Sequence, residues 1–244
     1  MIEATRSGRD FSGPGFSRDL MDPDAPLGLD MASDSRTLLL AFGGLVGQIG
    51  IPPFEFFSLT AEMSVKRLFV RDPRQAWYHR GIPGHGSGLA GVADALRPLL
   101  AHHEVERLVV AGASAGGYAA LLFGTLLGAE EVLCFAPQTV LDLDILSEMG
   151  DHRWDRRLGA QTAAGAVDAR FTDLRRVLPA ARCADTSYRI YFDDSLRADR
   201  MHAERLADLP GVRLYRFGRG SHNIARSLRD SGALERVLLG ALAV

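Results

Sequence analysis

Ser114 lies at the centre of Gly112-Ala-Ser-Ala-Gly116, a pentapeptide with the pattern G-x-S-x-G. The apolar run Leu108-Val-Val-Ala111 precedes it, and an uncharged segment typical of a buried helix follows it. In a sharp turn from strand to helix, the serine hydroxyl projects from the edge of the sheet. Glycine is needed two residues to either side, because a β-carbon there would collide with the neighbouring strand or helix. The pattern predicts that Ser114 is a nucleophile that attacks a carbonyl carbon.

A serine hydroxyl needs a neighbouring base to become a strong nucleophile, and the base needs an acid to orient it. His222, in Gly218-Arg-Gly-Ser-His-Asn223, comes five residues after the last predicted strand and is the candidate base. The acid is expected after the preceding strand, where Asp193 and Asp194 directly follow Tyr188-Arg-Ile-Tyr-Phe192. The order serine, aspartate, histidine along the chain is that of an acyl-transfer site built on alternating strands and helices.

The elements that must position these residues alternate from Arg36 onward. Predicted strands cover residues 36–42, 67–70, 108–112, 132–136, 188–192 and 212–217. Predicted helices cover 52–63, 115–127, 199–209 and 224–242, and a further helix follows the glycine-rich loop 81–88 and ends at about residue 102. Near-continuous apolar strands separated by helices predict a parallel sheet that is covered on both faces. Residues 1–35 are rich in Gly, Pro, Ser and Asp, and we expect them to form an irregular N-terminal arm.

Composition limits the classes of function. The chain has 244 residues, 47% of them hydrophobic, which is enough for one substantial core. Its net charge of −2 and the lack of a basic stripe argue against a nucleic-acid partner. The uncharged stretch 108–129 is interrupted by glycines, so it predicts a buried strand and helix rather than a membrane span. The N-terminus lacks the apolar core of a signal peptide, so a cytoplasmic location is expected.

The turn at Ser114, the later aspartate and histidine, and the alternating elements together resemble the α/β-hydrolase superfamily of serine esterases and thioesterases. The resemblance covers residues 36–244. It implies an α/β-hydrolase fold, with a mostly parallel central sheet, helices on both faces, and residues 139–186 as a short helical, cap-like insertion. It also implies that Ser114 is the nucleophile and His222 the general base.

The resemblance further implies an oxyanion hole made of two backbone amides. One belongs to Ala115, at the start of the helix after the serine, where amides have no partner within the helix. The other follows the first predicted strand, in Ala41-Phe-Gly-Gly-Leu45, and belongs to Gly44 or Leu45. The His-Gly dipeptide that is usual in the superfamily is replaced here by Phe42-Gly43.

Three aspartates are candidates for the acid. Members of the superfamily often place it a few residues after a glycine that ends the strand, and Phe192 occupies that glycine position here. On this basis Asp194 is preferred and Asp193 comes second. Asp199 is the third candidate, because a long loop could bring it to His222. It also stands where an aspartate would cap the N-terminus of the following helix.

Other polar clusters are interpreted more plainly. His79 and His85 flank the glycine-rich loop 81–88, and we expect them to be solvated. Arginines and aspartates are mixed through residues 139–186, which is typical of a solvated helical face, although an anionic acyl substrate or coenzyme A would also suit the arginines. No H-E-x-x-H motif or similar ligand spacing occurs, so neither a metal nor a cofactor is predicted.

Three classes of function compete at this stage. A serine hydrolase acting on a small-molecule ester or thioester is preferred, and an acyltransferase would use the same residues. A protein of this fold that only binds a ligand, or isomerises one, is the second class. A dinucleotide-dependent oxidoreductase is a remote third, because Gly112, Gly116 and Gly117 do not form G-x-G-x-x-G and the next strand ends in Phe135-Ala-Pro137 rather than in an acid.

Overall fold

A computed structural model describes residues 26–45, 56–181, 185–218 and 221–242. Within these ranges seven strands form one sheet, in the order β1-β3-β2-β4-β5-β6-β7. The strands are β1 (Leu27–Asp30), β2 (Thr37–Phe42), β3 (Lys66–Val70), β4 (Arg107–Ala113), β5 (Glu131–Phe135), β6 (Ser187–Asp193) and β7 (Val212–Phe217). Strands β2 to β7 are parallel, and β1 runs antiparallel to β3.

Helices connect most of the parallel strands. They are α1 (Gly88–His102), α2 (Ala115–Leu127), α3 (Leu143–Met149), α4 (Asp155–Ala163), α5 (Leu174–Ala181), α6 (Arg197–Glu204), α7 (Ile224–Asp230) and α8 (Ala233–Leu242), with a short 3-10 helix at Ala169–Phe171. The uncharged stretch 108–129 is divided between β4 and α2, as expected. No helix in the described part of the chain has the length and apolar character needed to cross a membrane.

The inner strands β2, β4 and β5 are buried on both faces, which explains their continuous apolar runs. Leu38, Leu40 and Phe42 of β2 pack on one face, in the same cluster as the buried side chains of α1 and α2. Leu39 and Ala41 point to the other face and pack with α7 and α8. Because alternate residues of a strand face opposite sides, a strand covered on both sides must be apolar throughout. The predicted fold class, a mostly parallel sheet with helices on both faces, is confirmed.

The end of the predicted irregular arm is a strand, which corrects the assignment of residues 1–35. Residues Leu27–Asp30 form β1, the antiparallel edge of the sheet, and residues 1–25 lie outside the described ranges. Four residues are too few to show a period of two, so the sequence carries no clear signal for this strand. The pairing is supported by a buried ion pair between Asp30 and Arg67, which face each other across β1 and β3.

Two helix predictions also need correction. Residues 56–62, the described part of the helix expected over 52–63, form turns, and Phe56 has a left-handed φ of 67° that interrupts a right-handed helix. The closing helix expected over 224–242 is divided into α7 and α8. Gly232 lies at the break with a φ of 68°, a conformation that glycine adopts without strain.

The chain between β5 and β6 is helical in the residues that the structure describes there. It contains α3, α4, the 3-10 helix and α5. On α5, Leu174, Val177 and Leu178 are buried at positions i, i+3 and i+4, the spacing of one helix face. This face packs in the same core cluster as α2, so the C-terminal part of the insertion also covers the sheet.

A buried histidine links the insertion to the glycine-rich loop. His79 is only 5% exposed, which corrects the expectation that it is solvated. Its Nδ1 accepts from the backbone amide of Asp168 at 2.9 Å, and its Nε2 lies 2.9 Å from the hydroxyl of Tyr118, which donates to the carbonyl of Phe171 at 2.7 Å. Since Nδ1 accepts, the ring is neutral with its proton on Nε2. Burial lowers the pKa of His79 to about 4.

This histidine should make the stability of the fold depend on pH. Below its usual pKa of 6.5 the unfolded chain binds a proton at His79, whereas the folded chain does not until pH falls to about 4. The free energy of unfolding therefore decreases as the pH is lowered from 6.5 to about 4, and His79 alone accounts for a decrease of about 3 kcal/mol. We expect His79→Asn to be less stable at pH 7 but to lose less stability on acidification, as measured by urea unfolding.

The matched control is Tyr118→Phe. It removes the hydroxyl that is hydrogen-bonded to His79 but no group that titrates between pH 6.5 and about pH 4. It should be less stable than the unmodified protein and retain the steep fall between pH 6.5 and about pH 4. Parallel stability curves for His79→Asn and the unmodified protein would contradict the assignment.

Candidate active site

The backbone at Ser114 is held in a strained conformation. Its φ of 53° and ψ of −116° lie outside the regions favoured by residues with a side chain. Three hydrogen bonds fix it: the Ser114 amide donates to the carbonyl of Phe135 at 2.9 Å, and its carbonyl accepts from the amides of Tyr118 at 3.0 Å and Gln138 at 3.2 Å. The turn is thus tied to β5, α2 and the segment after β5, and the strain is maintained by its surroundings.

The two flanking glycines allow this turn to be so tight. A β-carbon on Gly112 would lie 2.1 Å from the carbonyl oxygen of Gly116. A β-carbon on Gly116 would lie 2.3 Å from the carbonyl oxygen of Phe42, at the end of β2. The predicted reason for the glycines is confirmed: one allows the strand to approach its own helix, and the other allows the helix to approach the neighbouring strand.

His222 lies beside Ser114, although 108 residues separate them in the chain. Its Nε2 is 3.0 Å from the hydroxyl oxygen of Ser114. Its Nδ1 is 2.8 Å from Oδ2 and 2.9 Å from Oδ1 of Asp199. A carboxylate can only accept, so Nδ1 carries the proton and Nε2 is free to accept from the serine. This arrangement can remove a proton from the hydroxyl of Ser114.

The histidine is bound by the aspartate that was the third candidate. Asp194, the preferred acid, pairs instead with Arg216 at 2.8 Å on the surface. Asp193 accepts from the amides of Ser195 at 3.0 Å and Ser221 at 3.2 Å, and so supports the turn after β6 and the loop that carries the histidine. The expected hydrogen bond from His222 to Asp194 is therefore replaced by one to Asp199.

The helix boundary explains why the preference for Asp194 was wrong. Asp199 was expected to cap a helix, but α6 begins two residues earlier, at Arg197, and its N-cap is Leu196. A turn closed by the Leu196 amide and the Asp193 carbonyl, at 3.2 Å, joins β6 to this helix. Asp199 thus lies within the first turn of α6, 1% exposed. A cap position and a first-turn position differ by only a few residues, which sequence patterns do not resolve.

Comparison with known proteins identifies the architecture. Neither a protein-family model nor a curated protein sequence matches the chain. Among solved structures, it is similar to the Glycosylation Associate Protein (Gap123) complex from Streptococcus agalactiae (TM-score 0.64, 16% identity) over 87% of this chain and 44% of that chain. It therefore spans less than half of that chain.

Two further structures are similar over most of their own length. The capsule O-acetyltransferase of Neisseria meningitidis serogroup A has a TM-score of 0.62 at 12% identity, over 86% of this chain and 90% of that chain. MGS-MChE2, an α/β-hydrolase enzyme from a lagoon-sediment metagenome, has a TM-score of 0.57 at 17% identity, over 87% and 94%. The protein has the α/β-hydrolase fold. At these identities the similarity concerns the fold alone.

In this α/β-hydrolase fold, the candidate oxyanion amides lie where α2 and the segment after β2 meet. The close approach of Gly116 to Phe42 brings the start of α2, with the Ala115 amide, against the end of β2. Within the described residues, no acceptor is found for the amides of Ala115, Gly44 and Leu45. An amide without an acceptor at the start of a helix can bind a negatively charged oxygen, so these amides remain the candidates for that role.

A buried tyrosine that sequence reasoning did not assign to the site supports the segment after β2. Tyr78 donates its hydroxyl towards the carbonyls of Gly43, at 2.8 Å, and Val70, at 3.1 Å. The Gly43 amide also donates to Val70, at 2.8 Å. Tyr78 thus fixes the residue that precedes the candidate oxyanion amides of Gly44 and Leu45. Its sequence shows only an aromatic residue in a loop, which gives no signal for this role.

The acid belongs to a polar cluster from the insertion and α6. Asp199 also accepts from the guanidinium of Arg153 at 2.8 Å, and the same guanidinium donates two further hydrogen bonds to Asp151. Burial raises the pKa of Asp151, but hydrogen bonds from His202 and Arg153 outweigh burial and hold that pKa well below its usual range. No group of three or more His, Cys, Asp or Glu side chains in the described part of the chain is placed to hold a metal ion.

Removing the hydroxyl of Tyr78 should loosen the segment that carries Gly44 and Leu45. In Tyr78→Phe the part-buried carbonyl of Gly43 and the buried carbonyl of Val70 lose their tyrosine partner, which should cost about 1–3 kcal/mol of stability. We also expect kcat for an ester substrate to fall by about tenfold with little change in KM, because oxyanion donors act mainly in the transition state. Steady-state kinetics and urea unfolding measure the two effects.

Tyr188→Phe is the matched control. The hydroxyl of Tyr188 is also buried and lies 2.8 Å from that of Thr125, near the C-terminal end of α2, whereas Ser114 lies at its N-terminus. It should lose stability and keep its kcat. Equal kcat values for both variants and the unmodified protein would show that Tyr78 does not support the oxyanion amides.

Proposed function

We propose that this protein is a serine hydrolase that cleaves an ester or thioester through an acyl-enzyme. In this proposal Ser114 is the nucleophile, His222 the general base and Asp199 the acid that orients it. The negative charge that develops on the substrate is bound by the amides of Ala115 and of Gly44 or Leu45. The observation that carries the proposal is the continuous line of hydrogen bonds from Ser114 through His222 to Asp199.

The first half of the reaction forms the acyl-enzyme. The oxygen of Ser114 attacks the carbonyl carbon of the substrate, and its proton passes to Nε2 of His222. The histidine becomes an imidazolium, which Asp199 stabilises through the proton on Nδ1. The tetrahedral intermediate then collapses, the bond to the alcohol or thiol breaks, and the leaving group takes the proton from Nε2.

The second half releases the acid. A water molecule takes the place of the leaving group and gives a proton to Nε2 of His222 while its oxygen attacks the acyl carbon. When this second intermediate collapses, the bond to Ser114 breaks and the serine oxygen regains its proton from Nε2. The products are a carboxylic acid and an alcohol or thiol, and both catalytic side chains return to their starting state.

Two features of the contact favour catalysis over a purely structural role. The histidine uses both ring nitrogens, one towards a buried carboxylate and the other towards an accessible hydroxyl, which is the arrangement a general base requires. Ser114 is also strained, and strain of this kind is concentrated at functional sites. A protein that only binds a ligand near Ser114 would need neither feature.

We expect a fluorophosphonate probe to label the unmodified protein at Ser114, and Ser114→Ala to abolish both labelling and ester hydrolysis.

Asp199→Asn should lower kcat by roughly 10³–10⁴-fold, because an amide does not fix the tautomer that leaves Nε2 unprotonated. Asp194→Asn is the matched control and should keep kcat within about twofold, since its effect is confined to a surface ion pair.

A loss of activity in Asp194→Asn together with normal activity in Asp199→Asn would overturn the assignment of the acid. No labelling of the folded, unmodified protein would argue against the hydrolase as a whole. Circular dichroism of each variant establishes that the fold is retained.

Acyl transfer is the second candidate, and the similarity to the capsule O-acetyltransferase favours it. The first half of the reaction is unchanged, but the hydroxyl of an acceptor alcohol replaces water in the second half and an ester is formed. Hydrolase and transferase therefore differ only in which nucleophile reaches the acyl-Ser114 carbon.

The products decide between the two. We incubate the protein with a p-nitrophenyl or coenzyme A ester of a short acid, with and without added monosaccharides or simple alcohols, and quantify the products by mass spectrometry. As a hydrolase, the protein should form the free acid as the main product in every mixture, because water reaches the acyl-enzyme. An acylated acceptor as the main product would favour the transferase.

A further inference from the structure

Arg153 connects the insertion to the acid of the candidate active site. It lies between α3 and α4, and its guanidinium donates through Nη1 to Oδ1 of Asp199 at 2.8 Å. The same group binds Asp151 with Nε to Oδ1 at 2.8 Å and with Nη2 to Oδ2 at 2.7 Å. One planar cation thus joins two carboxylates, a geometry that arginine supports and lysine does not.

Asp151 is itself anchored to the body of the fold. It accepts from Nε2 of His202, on α6, at 3.0 Å. The amide of Thr139, just beyond β5, donates to Nδ1 of His202 at 3.1 Å, so His202 is neutral and its proton is on Nε2. Burial lowers the pKa of His202 more than Asp151 raises it, in agreement with a neutral ring. Arg153 is therefore held from the side opposite Asp199.

The orientation of Asp199 depends on few contacts. It lies on a short helix rather than at the end of a strand, and its carboxylate is almost fully buried. Among the residues that the structure describes, the side chains that donate to it are those of His222 and Arg153; both contact Oδ1, and His222 also contacts Oδ2. Without Arg153, two buried carboxylates, those of Asp151 and Asp199, would be left without the cation between them, and charge repulsion would separate them.

We propose that Arg153 is a positioning residue, which holds the carboxylate of Asp199 against His222 and so makes the geometry of the acid depend on the docked insertion. The proposal rests on the proposed function, in which Asp199 orients the base. Arg153 does not touch the substrate; it acts through Asp199 alone.

The charge of Arg153 has a second consequence that a purely structural contact would lack. The guanidinium offsets part of the negative charge that Asp199 presents to His222. Other ionisable groups of the described residues near this site include Asp151, which pairs with Arg153, Arg197, which lies against Gly150, the neutral His202, and Asp193, which accepts from the Ser221 amide. Removing the guanidinium increases the net negative charge beside the His222 ring.

The test uses Arg153→Met and Arg153→Lys in the full chain. For Arg153→Met we expect kcat for an ester to fall by about 10- to 100-fold with KM nearly unchanged. The reason is that the carboxylate of Asp199 would be displaced by up to about 1 Å. The acidic limb of its pH profile for kcat/KM should move to higher pH by about one unit. Arg153→Lys keeps the positive charge but cannot bind Asp151 and Asp199 at the same time in this geometry. We therefore expect kcat to fall while the acidic limb of the pH profile stays near its original pH.

Arg170→Met is the matched control. Arg170 also lies in the insertion and pairs with an aspartate, Asp168, at 2.6 Å, but this pair is exposed and remote from Asp199. It should retain kcat and the pH profile of the unmodified protein. If Arg153→Met does not fold, Arg153→Lys provides the test through its kcat.

A readout besides activity separates this proposal from the proposed function. The proton on Nδ1 of His222, which is bound to Asp199, gives a downfield proton NMR signal, and we expect Arg153→Met to shift or broaden it while Arg170→Met leaves it in place. Arg153 variants with unchanged kcat, pH profile and signal, in a protein that is labelled at Ser114, would overturn the proposal and leave the hydrolase intact. A protein without activity in which Arg153→Met still alters the signal would overturn only the hydrolase.

Discussion

The hydrogen bond between Nδ1 of His222 and the carboxylate of Asp199 is the interaction on which the candidate site depends. It fixes the tautomer of the histidine, and only this tautomer presents an acceptor to Ser114. The contact forms because the parallel sheet brings the ends of β4, β6 and β7 to one edge, where the segments that follow them meet. Because β4, β5, β6 and β7 are neighbours in this order, Nε2 of His222 lies 3.0 Å from the hydroxyl oxygen of Ser114, although 108 residues separate the two in the chain.

The same edge of the sheet carries several residues with a strained backbone. Trp77 and Tyr78 follow β3, Ser114 follows β4 and Ala136 follows β5, and all four have φ between 45° and 65°. Such conformations persist only where surrounding contacts hold them. After β3, for example, the buried carboxylate of Asp72 accepts from the amides of Ala76 at 2.6 Å and Tyr78 at 2.8 Å. Strain and its restraints therefore lie together beside the serine.

The sequence predicted what is local. The turn at Ser114 needs only five residues to be recognised, and the buried strands and α2 show continuous apolar runs, so both were expected correctly. The choice of Asp199 over Asp194 was not predictable, because it depends on where α6 begins and on a turn after β6 that has no distinctive sequence. Arg153 was hidden for a different reason: in a segment of mixed charge, nothing distinguishes an arginine that binds a buried acid from one in solvent.

The structure also contains a buried histidine–aspartate pair outside the candidate site, and the contrast shows what the proposed role of His222 requires. His202 contacts Asp151 at 3.0 Å, much as His222 contacts Asp199. In His202, however, Nε2 donates to the carboxylate and Nδ1 is occupied by the amide of Thr139, within a side chain that is 1% exposed. His222 is 35% exposed, and its accepting nitrogen faces a hydroxyl at the edge of the sheet. A carboxylate partner alone holds the histidine ring in place. In the proposed mechanism His222 also needs a free acceptor nitrogen that faces the hydroxyl of Ser114, and His202 has none.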